Sequence, residues 1–195
     1  QSTNDLPKLS EIKGKKLLEK ITPLKHKRGM WGYANNEAKF IIKPVFNEAC
    51  PFEGKVARVK IADKWGTIGS NGLFIVEPLY YERIDPYSSD SLSIAVSAGK
   101  FGLINAKGAR VQRIMYELID YADYGYRAKI DGKYCTIDSK GEIILDPRFD
   151  QMEMLDRRRG LEQVYMKGKW GVLKDGKDLL TLAFDEKITY LQEGL

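Results

Sequence analysis

Apolar and polar residues alternate over short stretches along most of the chain. Three of these stretches, at residues 59–61, 128–130 and 164–166, place an apolar side chain at every second position. This period is typical of a β-strand that buries one face. A tight turn signal follows each stretch, with glycine or aspartate before a lysine. We therefore predict an all-β chain of short strands joined by tight turns.

An aromatic residue followed by glycine recurs about every 35 residues, a period typical of repeat proteins. The five pairs are Trp31-Gly32, Trp65-Gly66, Phe101-Gly102, Tyr134-Cys135 and Trp170-Gly171. Apolar residues follow each pair, then proline in three units, then a second aromatic column that we assign to Phe46, Tyr80, Tyr116, Phe149 and Phe184. So many coincident columns in five units indicate a genuine repeat.

The turns within a unit predict its strands. Asn105–Gly108 and Asp138–Gly141 have the form of a type I turn closed by a left-handed glycine, whereas the first unit carries Ala38 at the position of that glycine. A second turn, such as Ala98–Lys100, precedes each aromatic. Two turns between three apolar runs predict a three-stranded meander. One meander cannot bury its own apolar face, so the units must pack together.

The motif Lys64-Trp65-Gly66, repeated as Lys169-Trp170-Gly171, resembles the WG (KWG) repeat family, which is widespread in bacteria. The resemblance covers residues 22–195 and implies a β-repeat module used for binding rather than catalysis. We expect these five units to form an open β-solenoid or a propeller-like array, with residues 1–21 as an N-terminal capping segment. The structural anchors would be Trp31, Gly32, Trp65, Gly66, Phe101, Gly102, Tyr134, Trp170 and Gly171.

The last residues, 190–195, are similar to the segment that leads into the first strand of a unit. They would either complete the first unit and close a ring, or end an open array. Lysines recur in the column before the aromatic residue, and we attribute them to the solubility of the hairpin turns. Those lysines are Lys64, Lys100, Lys133 and Lys169.

Composition narrows the possible functions. The chain has 195 residues, 43% of them hydrophobic and 30% charged, so it can bury a core. Two cysteines and one histidine exclude a disulfide-dense scaffold and most metal sites, and we expect no cofactor. No window of 18 apolar residues occurs, so we expect no transmembrane segment.

Catalytic motifs are missing as well. The chain has no nucleotide-binding fingerprint. Asp85, Asp120 and Asp150 could form a carboxylate pair, but their recurrence after the aromatic column fits turn formation better. We expect His26 to be a solvated residue, and Cys50 and Cys135 to be inert small hydrophobes. The chain is therefore not expected to be an enzyme.

The connections that vary most between units are the candidate binding surface. We expect contacts from Tyr87, Tyr121, Tyr124, Arg157, Arg158 and Arg159, since tyrosine and arginine dominate binding hot spots. The favoured function is protein–protein interaction. One alternative is a carbohydrate or cell-wall polymer binder in which the tyrosines stack on sugars. The other is a polyanion binder that uses the arginine triplet. Nucleic acid is an unfavoured partner, because a net charge of only +5, offset by 27 acidic residues, attracts phosphate weakly.

The chain begins Gln1-Ser2-Thr3 without a methionine, as is typical after cleavage of a secretory signal, although trimming of the chain would give the same start. We expect an exported protein, located in the periplasm, on the cell surface or outside the cell. A cytoplasmic location is the alternative.

Overall fold

A computed structural model describes residues 20–188, and the regular structure of this part is entirely β. It contains the strands β1 to β19. The expected capping segment lies outside the described residues, apart from its end at residues 20 and 21. The final segment, 190–195, also lies outside them.

The strands form five sheets, each a meander in which consecutive strands are neighbours. The first sheet contains β1 (Thr22–Lys25), β2 (Trp31–Ala34) and β3 (Phe40–Phe46). The second contains β4 (Glu48–Ala49), β5 (Val56–Ile61), β6 (Lys64–Gly69) and β7 (Phe74–Tyr81). The third contains β8 (Arg83–Ile84), β9 (Leu92–Ser97), β10 (Lys100–Asn105) and β11 (Arg110–Tyr116).

The last two sheets repeat the pattern. The fourth contains β12 (Leu118–Ala122), β13 (Gly125–Ile130), β14 (Lys133–Asp138) and β15 (Ile143–Phe149). The fifth contains β16 (Gln151–Asp156), β17 (Leu161–Met166), β18 (Lys169–Lys174) and β19 (Asp178–Phe184). The predicted all-β repeat class is confirmed. Four sheets gain one strand more than the turn signals indicated, and two of these extra strands, β4 and β8, are too short to show an alternating pattern.

The predicted turns are present. Asn105 Oδ1 accepts hydrogen bonds from the amides of Lys107 and Ala109, each at 3.0 Å, and Gly108 has φ +79°. In the first unit Ala38 holds the same left-handed conformation, with φ +57°. Alanine is strained there because its Cβ lies close to the following carbonyl oxygen.

The glycine of each aromatic–glycine pair faces the backbone of the next strand. A Cβ built on Gly66 would lie 2.4 Å from the carbonyl oxygen of Val76, and one on Gly32 would lie 2.5 Å from that of Ile42. The strand register shifts at these positions, as in a β-bulge, between Trp65 and Thr67 in the second sheet. The glycine is required because the facing strand leaves no room for a side chain.

The second aromatic column is buried in the first, third and fourth units, is corrected in the second, and is exposed in the fifth, where Phe184 opposite Trp170 is 41% exposed. Phe46 and Phe149 are almost inaccessible and lie opposite Trp31 and Tyr134. In the second sheet, however, Trp65 lies opposite Tyr81, whereas Tyr80 is 62% exposed. The assignment of Tyr80 is therefore wrong. β7 has eight residues and β3 has seven, so a count from the proline ends one position short.

The aromatic residues of the aromatic–glycine pairs are less buried than expected for side chains that anchor one meander to the next. Trp65 is half-buried, and the ammonium of Lys60, from the opposite strand position, lies 5.7 Å from its ring centroid. Lys129 covers Tyr134 in the same way at 5.2 Å. Trp170 is the exception, since it is buried and its ring lies 5.1 Å from that of Tyr165. These contacts are of the cation–π type and stabilise the hairpin locally.

Three of the four recurring lysines contact acidic residues that follow the last strand of their own sheet. Lys64 Nζ lies 3.3 Å from Glu82 Oε1, and that oxygen also accepts a hydrogen bond from the amide of Ala98, in the turn between β9 and β10. Lys133 pairs with Asp150 and Lys169 with Asp185. We call these acids the junction residues, because Glu82 bonds to the sheet it follows and to the sheet it precedes.

Backbone contacts divide the chain into two compact units. The first runs through Ala98 and includes Ile104–Arg110, and the second comprises Gly99–Leu103 and the chain from Val111. A core in the first unit contains Tyr33, Phe46, Val59 and Ile68. A core in the second contains Phe149, Met152, Val164 and Leu173.

Candidate functional site

The second unit contains a cleft of about 250 Å³ among its sheet connections. Its walls come from the turn between β12 and β13, from β16, from the start of β17 and from the turn after β18. The lining residues are Asp123, Tyr124, Met154, Gly160, Glu162 and Asp175. Three of the six carry a carboxylate.

Glu162 is the buried carboxylate of this cleft, with a side chain only 1% exposed. Its Oε2 accepts a hydrogen bond of 3.0 Å from the hydroxyl of Tyr124. Its Oε1 lies 3.7 Å from Nη1 of Arg127, and it has no hydrogen-bond partner among the described residues. Burial raises the pKa of Glu162, because removal of water disfavours the charged form.

Tyr124 is positioned by a glycine. A Cβ on Gly176 would lie 2.5 Å from the tyrosine ring, so the ring rests against bare backbone. Thr136 Oγ1 donates a hydrogen bond of 2.6 Å to the carbonyl oxygen of Gly176 and holds that turn in place. Burial raises the pKa of the Tyr124 hydroxyl, which therefore stays protonated and donates to Glu162.

The other two carboxylates are held differently. The amide of Asp175 donates a 2.8 Å hydrogen bond to the carbonyl oxygen of Gly160, and a Cβ on Gly160 would lie 2.1 Å from Asp175 Oδ1. The Asp175 carboxylate thus rests on a glycine. Asp123 Oδ2 lies 3.8 Å from Nε of Arg157, and both side chains are largely exposed. Such a surface ion pair contributes little to stability and leaves Asp123 available to a ligand.

The structure brings two of the predicted contact residues to this cleft. Tyr124 lines it, and Arg157 reaches it through Asp123. Tyr121 is 48% exposed on β12 and its ring lies 5.5 Å from that of Tyr126. Arg158 and Arg159 are exposed, and their amides donate to Asp156 Oδ1 in the turn before β17.

Tyr87 lies in the first unit, in the connection between β8 and β9, and its hydroxyl is buried. Burial raises the pKa of this hydroxyl to about 12. The amide of Tyr87 donates a 2.8 Å hydrogen bond to Glu53 Oε2, and Glu53 Oε1 accepts one of 3.1 Å from Nη2 of Arg58. The geometry therefore assigns Tyr87 an interior role, which its position in a loop did not indicate.

Arg58 and Arg127 occupy the same position in their sheets, opposite Thr67 and Thr136. Beside Arg58, both carboxylate oxygens of Glu53 accept hydrogen bonds. Beside Arg127, one oxygen of Glu162 accepts none within the described part of the chain. The two half-buried arginines thus have similar surroundings. The carboxylate beside Arg58 has both oxygens bonded, whereas the one beside Arg127 has one oxygen without a hydrogen bond among the described residues.

Sequence reasoning missed Glu162, although a signal was present. Its column contains Ala57, Ser93 and Tyr126 in the other four-stranded sheets. A carboxylate at a buried strand position costs free energy unless it has a partner. A glutamate at this buried position of the repeat therefore indicates a candidate functional residue.

The carboxylates suggested for catalysis are each paired with a cation. Asp85 lies 2.8 Å from Nε of Arg83, Asp120 lies 3.5 Å from Arg127, and Asp150 pairs with Lys133. Within residues 20–188, no three His, Cys, Asp or Glu side chains are close enough to share a metal ion.

Both cysteines are free thiols. Burial raises the pKa of the Cys135 thiol to about 11, so it is not a nucleophile at neutral pH. No described segment forms an apolar helix long enough to cross a membrane.

The family model of the WG containing repeat matches residues 31–65 and 136–170. Two segments of the chain therefore match the WG repeat. The first match ends at Trp65 and the second at Trp170, so each reaches the tryptophan of a Lys-Trp-Gly motif.

Solved structures similar to this chain include Kluyveromyces lactis Hsv2, with 10% identity, a TM-score of 0.42 and coverage of 83% of this chain and 61% of that chain. The WD40 β-propeller domain of Doa1 has 11% identity, a TM-score of 0.33 and coverage of 85% and 65%. The extracellular domain of BT4673 from B. thetaiotaomicron has 10% identity, a TM-score of 0.35 and coverage of 87% and 30%. No curated protein matches the sequence.

Proposed function

We propose that residues 22–195 are a non-enzymatic binding module that engages another protein through the connections around the second unit's cleft. The cleft volume of about 250 Å³ carries this proposal. Small-molecule sites usually enclose roughly 300–1,000 Å³. The cleft therefore has room for one side chain of a partner rather than for a whole substrate.

The residues around the cleft are of the types that protein interfaces favour. Met154 is 41% exposed in its wall, Tyr121 is exposed on β12, and Arg157 lies at its edge. Methionine, tyrosine and arginine are enriched in interfaces. These side chains support a protein partner.

The two alternatives have weaker support. A polyanion would meet the carboxylates of Asp123 and Asp156 beside the arginine triplet. A sugar would find one exposed tyrosine, Tyr121, since the ring of Tyr124 rests on Gly176 and the hydroxyl of Tyr87 is buried. The exposure of Tyr121 keeps carbohydrate as the second candidate.

The test is capture from extracts of the source cells by the immobilised full chain, at about 50 and 300 mM salt. We expect a discrete protein to be retained at both concentrations and to be lost with the double variant Tyr121→Ala, Met154→Ala. Tyr80→Ala, which removes a 62% exposed tyrosine from the first unit, is the matched control and should retain the protein.

Two results would contradict this proposal. Retention that disappears at the higher salt would indicate nonspecific charge attraction. Retention of a glycan that depends on Tyr121 would support the carbohydrate alternative instead.

We also propose that the protein is bacterial and acts outside the cytoplasm. The resemblance to repeats that are widespread in bacteria supports the first part. Immunodetection in cytoplasmic, envelope and secreted fractions tests the second part, and recovery in the cytoplasmic fraction alone would contradict it.

A further inference from the structure

We propose that the cleft takes a lysine or arginine side chain of the partner protein and holds its cationic group by the carboxylates of Asp123, Glu162 and Asp175. This inference rests on the proposed function and specifies the chemistry of its partner.

The residues that line the cleft carry three carboxylates and no cationic group. Arg127 approaches Glu162 from outside the lining, and its Nη2 also lies 3.5 Å from Asp120, so it offsets two carboxylates with one charge. Arg157 lies 3.8 Å from Asp123 in an exposed pair that solvent screens. The cleft therefore keeps a negative potential that attracts a cation.

Glu162 supplies a second and independent observation. Its side chain is 1% exposed and lines the cleft, and its Oε1 has no hydrogen-bond partner among the described residues. A buried acceptor without a donor costs free energy that a bound donor restores. The ammonium of lysine and the guanidinium of arginine carry only donors, so either fits this acceptor.

The walls suit the remainder of such a side chain. Lysine and arginine have aliphatic stems that pack on apolar surface while the charged end stays in a polar environment. Met154 supplies the apolar surface, and the ring of Tyr124 is an aromatic group beside the carboxylates.

The test is an NMR titration of the ¹⁵N-labelled full chain with Nα-acetyl-lysine methylamide. The matched control probe is Nα-acetyl-norleucine methylamide, which has a neutral side chain. We expect saturable shifts at the amides of Tyr124, Gly160 and Gly176 with the lysine probe only. The arginine analogue should shift the same amides.

Variants of the chain separate charge from shape. Glu162→Gln and Asp175→Asn should each weaken binding of the lysine probe about fivefold or more, because each removes one charged acceptor. Asp185→Asn also removes one acid from the second unit, at a position outside the cleft lining, and should bind as the wild type does. The unperturbed part of each spectrum reports whether the variant is folded.

Three outcomes would overturn the inference: no saturable shift, equal binding of the norleucine probe, or unchanged binding in both acidic variants. If Tyr121→Ala, Met154→Ala abolishes protein capture while the acidic variants do not affect it, this inference fails and the proposed function stands. If the lysine probe binds but no protein is captured, the proposed function itself fails.

Discussion

The glycine of the second WG pair offers a sharp test of the repeat geometry. Replacing Gly66 by alanine places a Cβ 2.4 Å from the carbonyl oxygen of Val76 and 2.8 Å from the nitrogen of Pro78. Ordinary contact begins at 3.4 Å, so β6 and β7 would have to separate by about 1 Å. The obstructing atoms are backbone, and no side-chain rotation relieves the overlap.

The expected cost combines two effects. Overpacking in a well-packed region costs roughly 1–3 kcal/mol. Separation of the strands also weakens one or two ladder hydrogen bonds, each with a net contribution of about 1 kcal/mol. We therefore expect Gly66→Ala to lower the free energy of unfolding by about 2–4 kcal/mol.

Gly54→Ala is the matched control, since Gly54 has φ +64° and nothing within 4 Å of the added Cβ. It measures left-handed strain without overlap, at about 1 kcal/mol. Urea unfolding of the full chain, followed by tryptophan fluorescence and by circular dichroism, compares the two variants. If Gly66→Ala lowers the free energy of unfolding no more than Gly54→Ala does, the close approach of the strands does not explain why glycine recurs after the aromatic residue in this chain.

Three further predictions concern single side chains. Tyr87→Ala should lower the free energy of unfolding by about 2 kcal/mol because the tyrosine hydroxyl is buried, whereas Tyr121→Ala should change it by less than about 0.5 kcal/mol. Urea unfolding measures both variants, and equal effects would contradict the burial of Tyr87. Ala38→Gly should stabilise the chain by about 1 kcal/mol because it relieves a φ of +57°, and a lower thermal midpoint would refute this. Burial raises the pKa of Glu162 above its value in the unfolded chain, about 4.3. The stability that this group contributes should therefore be fully present below about pH 4.3 and be lost as pH rises through the folded-state pKa. Urea unfolding across this pH range should show that pH dependence in the wild type and not in Glu162→Gln.

Local sequence signals were sufficient for the repeat because the same physical constraints recur in most units. A left-handed turn position and a strand without room for a Cβ each favour glycine, as at Gly108 and Gly66, although Ala38 and Cys135 occupy the corresponding positions of the first and fourth units. The extra strands β4 and β8 gave no such signal. Each has two residues, and their pairing with the following strand depends on the meander already being formed.

The cleft was only partly predictable. Tyr124 and Arg157 were selected by residue type alone, and the structure places both at one site. Glu162 lies in a strand, and its sequence signal was its departure from a column that contains Ala57, Ser93 and Tyr126 in the other four-stranded sheets. Its importance comes from Arg127, 35 residues earlier in the chain, and contacts of that kind follow from packing rather than from local sequence.

The junction residues bear on how such a chain changes length during evolution. Glu82, Asp150 and Asp185 each pair with the lysine of their own unit. Glu117, which follows β11 in the third unit, accepts a hydrogen bond from the amide of Gly132 as Glu82 does from that of Ala98. Recombination that deletes or duplicates one whole repeat unit therefore places the lysine of one unit beside the carboxylate of another. The lysine–carboxylate ion pair is preserved. The number of units can vary by unequal crossing-over, while each join remains chemically complete.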